Sequence, residues 1–215
     1  MSSLFLLLLI GAVFLSIIYL HLIKKNFEAV VAYGIQSFAV VLILFNSFLA
    51  TSSAPLLFII LATFIVKVML APSFFVRLIQ RHDLTFSGST YLNTPLTLIV
   101  LTVLTAVAHS EKFLPLTDIL SANHALLSLT FSAMLISLFL IVNRKGALSQ
   151  AIGILSLENS IVAFAVFAGL EQSPMLQIGI IFDISIWLVI ASVFISMIYL
   201  HFGSLDTSVM KQLKD

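Results

Sequence analysis

The stretch GILSLENSIVAF, residues 153–164, sets a carboxylate, Glu158, in the middle of an apolar run. The run continues from Ala147 to Gly169 and holds no other charged residue. A segment of this length and apolarity matches the ~20 residues a helix needs to cross a hydrocarbon layer. A glutamate inside such a span is costly, and spans keep one when it has a partner or a function.

The 215 residues are 61% hydrophobic and only 9% charged, with a mean hydropathy of +1.21. A soluble domain carries about 25% charged residues, because its surface faces water. Ten Lys/Arg and nine Asp/Glu cannot cover a water-facing surface for a chain this size. The absence of Cys excludes a disulfide framework, a thiolate nucleophile and ordinary iron–sulfur ligation. A net charge of +1 gives no case for a nucleic-acid partner.

Apolar runs predict spans at about 4–22, 29–50, 54–76, 94–109, 125–142, 147–169 and 175–201. The fourth is short for a layer of roughly 30 Å, so it starts nearer Leu92 or crosses untilted. Pro72 falls near the inner end of the third, where a membrane helix tolerates a kink. Polarity does not alternate along the runs, which argues for helices and against barrel strands. The first run lacks a basic flank before it and is followed by HLIKKN, which favours a retained helix over a cleaved signal peptide. The expected fold is an all-α integral membrane protein of about seven transmembrane helices, with residues 1–215 as one membrane domain. No internal repeat and no soluble domain stands out.

The basic residues orient the spans. Lys24 and Lys25, Arg77 and Arg81, Arg144 and Lys145, and Lys211 and Lys214 follow spans one, three, five and seven. Only Lys112 falls on the opposite side, and Lys67 lies inside a span. The positive-inside rule then places the N-terminus outside and the C-terminus in the cytoplasm.

Lys67, Glu158 and Asp183 lie well inside spans three, six and seven, at roughly middle depth from the ~1.5 Å helical rise. None has a charged neighbour at i±3 or i±4 on its own helix. Partners must come from other helices, other subunits or water. Acids and a base at one depth can pass a proton through intervening water. Burial opposes a carboxylate's ionisation and a nearby lysine favours it, so protonation there responds to small movements. The competing reading is a static ion pair, such as Lys67 with one carboxylate, that holds helices together. Asn159 points about 100° round the helix from Glu158 and does not share its face. Asn46, Gln36, Gln150 and Gln177 read singly as helix-to-helix hydrogen bonds.

The histidines, His21, His82, His109, His124 and His201, fall near span ends or in loops. His124, at the start of span five, is the one placed to exchange protons with bulk water. Their spacing makes no metal site, and they sit too near the span edges to favour haem ligation. Gly153, Ser156, Ser160, Ala163, Ala165, Ala168 and Gly169 allow close helix approach along span six. No glycine-rich phosphate loop, HExxH or GxSxG occurs. Any redox or hydrolytic chemistry is expected in another subunit.

The stretch NRKGALSQAIGILSLENSIVAFAVF, residues 143–167, with ATFIVKVMLAP at 62–72, resembles the component E membrane subunit of hydrogenase 4. That family belongs to group 4 nickel–iron hydrogenases and formate hydrogenlyase-type assemblies. The pattern GxLxxENxI, here Gly153 to Ile161, carries the likeness, supported by Lys67 ahead of Pro72. Residues 125–202 are similar to the small three-helix subunit of respiratory complex I and of multisubunit cation/proton antiporters. In that likeness Glu158 matches the carboxylate of the second helix. Asp183 is the best match to the carboxylate of the third, with a shorter side chain than the glutamate of the complex I relative.

The resemblance implies a non-catalytic subunit in a prokaryotic cytoplasmic (inner) membrane, multi-pass, contributing to a proton or sodium path and to assembly. It implies large antiporter-like membrane subunits, a relative of the quinone-binding subunit, and peripheral redox subunits as partners, with lipid around them. No cofactor is expected in this chain. A nickel–iron centre and iron–sulfur clusters would belong to partner subunits. The path residues implied are Lys67, Glu158 and Asp183, with His124 as a further candidate. Other readings are a purely structural subunit and a subunit of an antiporter or other inorganic-ion complex. An odd number of spans without repeated halves weakens an independent secondary transporter.

Overall fold

The computed structural model describes residues 3–81, 84–86, 89–110 and 124–169, together with seven helical positions between 178 and 200. Its described elements are helices, with only two isolated β-bridges, Lys25 to Phe86 and Thr90 to Arg144. Helix α1 spans Ser3–Leu22, α2 Asn26–Thr51 and α3 Ala54–Thr63. A π-helical segment, Phe64–Leu70, joins α3 to α4, Ala71–Arg81. Then come α5, Thr94–Ala108, α6, His124–Asn143, and α7, Ala147–Phe167. Five of the described helices are long and apolar enough to cross a membrane, counting Ala54–Arg81 as one of 28 residues.

Local chemistry sets the ends. Asn93 caps α5 by accepting a hydrogen bond from the Leu96 N–H at 3.0 Å, and Pro95 follows in the first turn. Helix α5 therefore begins at Thr94, not nearer Leu92, and its 15 residues reach ~22 Å, which leaves it a shorter apolar helix than the other five. The third span continues past the expected end at 76 to Arg81. It does so because α4 buries Ala71, Phe75, Leu78 and Ile79 on one side while Arg77, Gln80 and Arg81 take the other. The second span starts at Asn26, earlier than expected, since its side chain is tied down. Asn26 Nδ2 donates to the carbonyls of Leu84 at 2.9 Å and Phe86 at 3.0 Å.

The helices pack as a bundle around α2, which meets α1, α7, the π-helical segment and α4. The closest pairing is α6 against α7, where Gly153 leaves room for Ile141. Helix α5 sits on the periphery against α6 and α1.

Two apolar clusters divide the interior. One holds Ile23, Tyr33, Phe75, Leu140, Leu148 and Leu155. The other holds Ile17, Val40, Ile60, Leu127, Ile136 and Val162. On four of the spans the chain passes from one cluster to the other through a polar step: Gln36 and Ser37 on α2, Lys67 in the π-helical segment, Ser137 on α6, and Ser156, Asn159 and Ser160 on α7. These buried polar residues form a layer across the middle of the bundle.

Arg144 is one of the basic residues that follow the fifth expected span. It is buried, and its guanidinium donates to the carbonyls of Leu20 and, at 2.7 Å, Ile23. Those carbonyls end α1 and lack helical partners. Span seven lies outside the described residues except for the seven helical positions, and Lys112, Lys211 and Lys214 lie outside them entirely.

Candidate functional site

The centre of the polar layer is Lys67. It is only 1% exposed, one of the largest fully buried side chains. Its position follows from the backbone around it. Pro72 has no N–H to offer Val68, and its ring crowds that carbonyl. The ladder widens just before the proline, and the Ala71 N–H bonds to Val66 instead. The kink expected near Pro72 thus takes the form of a π-helical segment, with Lys67 in its middle.

The ammonium reaches α7 at two consecutive residues. Lys67 Nζ donates to Asn159 Oδ1 at 3.0 Å and lies 3.5 Å from Glu158 Oε1. Glu158 lies about three turns into α7, ~16 Å from its start, so the contact sits at mid-bundle depth. Asn159 in turn donates through Nδ2 to Ser37 Oγ on α2 at 2.9 Å. The ammonium, which can only donate, sets the orientation of the amide, with its oxygen toward the lysine and its NH2 toward Ser37.

Further polar groups complete the layer. Gln36 Nε2 donates to the Ser156 carbonyl at 3.2 Å, and Ser160 Oγ donates to the same carbonyl at 2.9 Å. Ser160 also lies 3.4 Å from Ser137 Oγ on α6. Two buried atoms of the layer, Gln36 Oε1 and Ser156 Oγ, have no hydrogen-bond partner among the described residues. Buried polar atoms of this kind are uncommon.

The two members of the ion pair differ in exposure. Lys67 is sealed inside, whereas the Glu158 side chain is 21% exposed although its Oε1 is buried. The carboxylate therefore connects the interior layer to the bundle surface. Chemically, the arrangement offers one proton two homes, an amine and a carboxylate, with a neutral amide beside them.

The sequence-predicted residues separate as follows. Lys67 and Glu158 come together. Asp183 lies outside the described residues, as do Gln177, His82 and His201. His124 begins α6 at the bundle end and is exposed, far along the helix from the polar layer. His21 lies in the last turn of α1, near the span end as expected, and is buried: its Nε2 donates to the Ile136 carbonyl at 3.1 Å and its ring stacks on Phe139. His109 Nδ1 donates to the Thr105 carbonyl at 2.9 Å at the end of α5. Gln150 serves the loop before α7, donating to the Arg144 carbonyl at 2.8 Å. Among the described residues, no three His, Cys, Asp or Glu gather to hold a metal ion.

Sequence reasoning set Asn159 aside because it does not share a face with Glu158. That holds for partners on the same helix. A long side chain arriving from another helix meets both flanks of the ridge between adjacent residues. Ser37 was missed for a different reason: a lone serine in an apolar run gives no signal of its own. Comparison with protein-family models, curated proteins and solved structures returns no match.

Proposed function

We propose that this chain is a non-catalytic membrane subunit of a redox-driven, ion-translocating complex of the hydrogenase type, in which Lys67 and Glu158 form part of a proton path. The observation that carries the reading is the buried pair itself: an ammonium and a carboxylate 3.5 Å apart at mid-bundle depth. Charges at that depth are costly, and membrane spans that keep them use them in ion pathways, proton relays or pairs. Glu158, partly exposed, is the member that would hand the proton on, to Asp183 or to a partner subunit. In this reading the seven-span topology has its C-terminus in the cytoplasm, and the large antiporter-like subunits lie beside this chain. The redox centres, nickel–iron and iron–sulfur, belong to partner subunits, among them the peripheral redox subunits.

A second reading is a structural subunit in which the pair is static. The direct contact and the neighbouring Lys67–Asn159 hydrogen bond favour it, because both tie the third span to α7. Glu158→Gln separates the two. It keeps the shape and a hydrogen-bonding side chain but removes the ionisable group. The proton-path reading expects assembly to persist and proton translocation to fall. The static reading expects the reverse, with complex yield lost first.

A further inference from the structure

Lys67 and Glu158, 3.5 Å apart, offer one proton an amine and a carboxylate to rest on. In a dry interior the ion pair competes with its neutral form, because desolvating two charges offsets much of their attraction. Moving one proton from Nζ to Oε1 breaks an N–H bond, forms an O–H bond and leaves the total number of bound protons unchanged. The geometry around the pair is not symmetric between these forms. The nearer oxygen to Nζ is the Asn159 amide at 3.0 Å, with the Glu158 carboxylate at 3.5 Å. Among the described residues the ammonium meets no other polar side chain. An ammonium uses the amide oxygen fully; a neutral amine, with fewer and weaker donors, gains less from it.

The amide is set in the sense that suits a charged lysine. Its oxygen faces Nζ, and its NH2 gives a hydrogen to Ser37 Oγ at 2.9 Å, in a site where Asn159 and Ser37 are both fully buried. Turning the amide over would set NH2 against NH3+, donor against donor, so this sense and the charged lysine support one another. The only other titratable group facing the pair from α2 is Tyr33, whose ring belongs to the apolar cluster next to the layer.

We infer that Asn159, held by Ser37, is a positioning residue that keeps the shared proton on Lys67 and so keeps Glu158 ionised at rest. The inference deepens the proton-path reading of the site and rests on it for its biological meaning, but its test needs no transport. In that setting a proton arriving on Glu158 leaves Lys67 charged and still hydrogen-bonded to Asn159. The site then takes up and releases a proton through the carboxylate alone.

Infrared spectroscopy of the protein in lipid tests this. The C=O stretch of a protonated carboxyl is assigned to Glu158 by its loss in Glu158→Gln. The wild type at neutral pH is expected to show no such band. Asn159→Leu, close in size, removes the amide and is expected to bring the band up, as the proton moves to the carboxylate. Ser37→Ala frees the amide while deleting a single oxygen, and is expected to give a weaker band of the same origin. A Glu158 band in the wild type overturns the inference. So does a folded Asn159→Leu protein without the band. Should Asn159→Leu fail to fold, Ser37→Ala decides: a spectrum identical to wild type overturns it. Unimpaired proton transport by an assembled Glu158→Gln complex would remove the proton-path reading and leave the infrared result standing on its own.

Discussion

Lys67 and Asn159 meet at 3.0 Å across the interface between the third span and α7, and through Asn159 the lysine is tied to Ser37 on α2. Three helices thus share one hydrogen-bonded chain, with Glu158 at its side. The contact exists because Pro72 opens the helix just after Lys67 and because Ser156, Asn159 and Ser160 leave α7 polar at the matching depth.

The ion pair should show coupling in a double-mutant cycle. Removing one partner of a buried pair costs about 3–5 kcal/mol, since the other charge is left behind. Glu158 is partly exposed and can shed its charge by protonation, so Lys67→Met should fall at or below the lower end of that range. Lys67→Met with Glu158→Gln should be more stable than the sum of the single effects by about 0.5–3 kcal/mol. Unfolding in lipid nanodiscs measures this, and strict additivity would argue against a direct interaction.

Gly153 should resist enlargement. A Cβ there would stand 3.0 Å from Ile141 Cγ1 and 3.4 Å from the Ile141 nitrogen. Gly153→Leu pushes α7 away from α6 and should cost roughly 1–3 kcal/mol, typical of overpacking. Gly153→Ala should cost less, since the Ile141 side chain can give by a few tenths of an ångström. A Gly153→Leu protein as stable as wild type would mean that α6 and α7 do not approach as described.

Arg144 should matter for stability more than for charge. Its guanidinium ends α1 by binding the carbonyls of Leu20 and Ile23. Arg144→Ala leaves both buried carbonyls without that donor, and hydrogen bonds to charged groups are worth about 1.5–3 kcal/mol each. The expected result is a clear drop in thermal stability, with earlier hydrogen exchange at the end of α1. Substituting Lys145, which lies over the Tyr91 ring at 4.9 Å, should be far milder.

Much of the fold was legible because lipid leaves few choices. Six predicted spans coincide with described helices to within a few residues, since the apolar runs and the charged turns that end them are long and plain. The errors fall where side chains act across helices. Asn26 extends α2 by binding a loop distant in sequence. Arg144 looks like a surface charge until α1 is seen to end against it. Lys67 and Glu158 stand out as charges in apolar runs, but their pairing depends on a widened turn that the sequence marks only by Pro72. Asn159 and Ser37 carry no such mark, because small polar residues are common in membrane spans and their roles are set by what faces them.

The central claim is that Glu158 carries a proton in a translocation path, and Glu158→Gln in the intact complex tests it most directly. The measurement is proton uptake per turnover in reconstituted vesicles, normalised to the amount of assembled complex. The account predicts normal assembly with translocation markedly reduced. An assembled variant complex that moves protons at the wild-type ratio would contradict it.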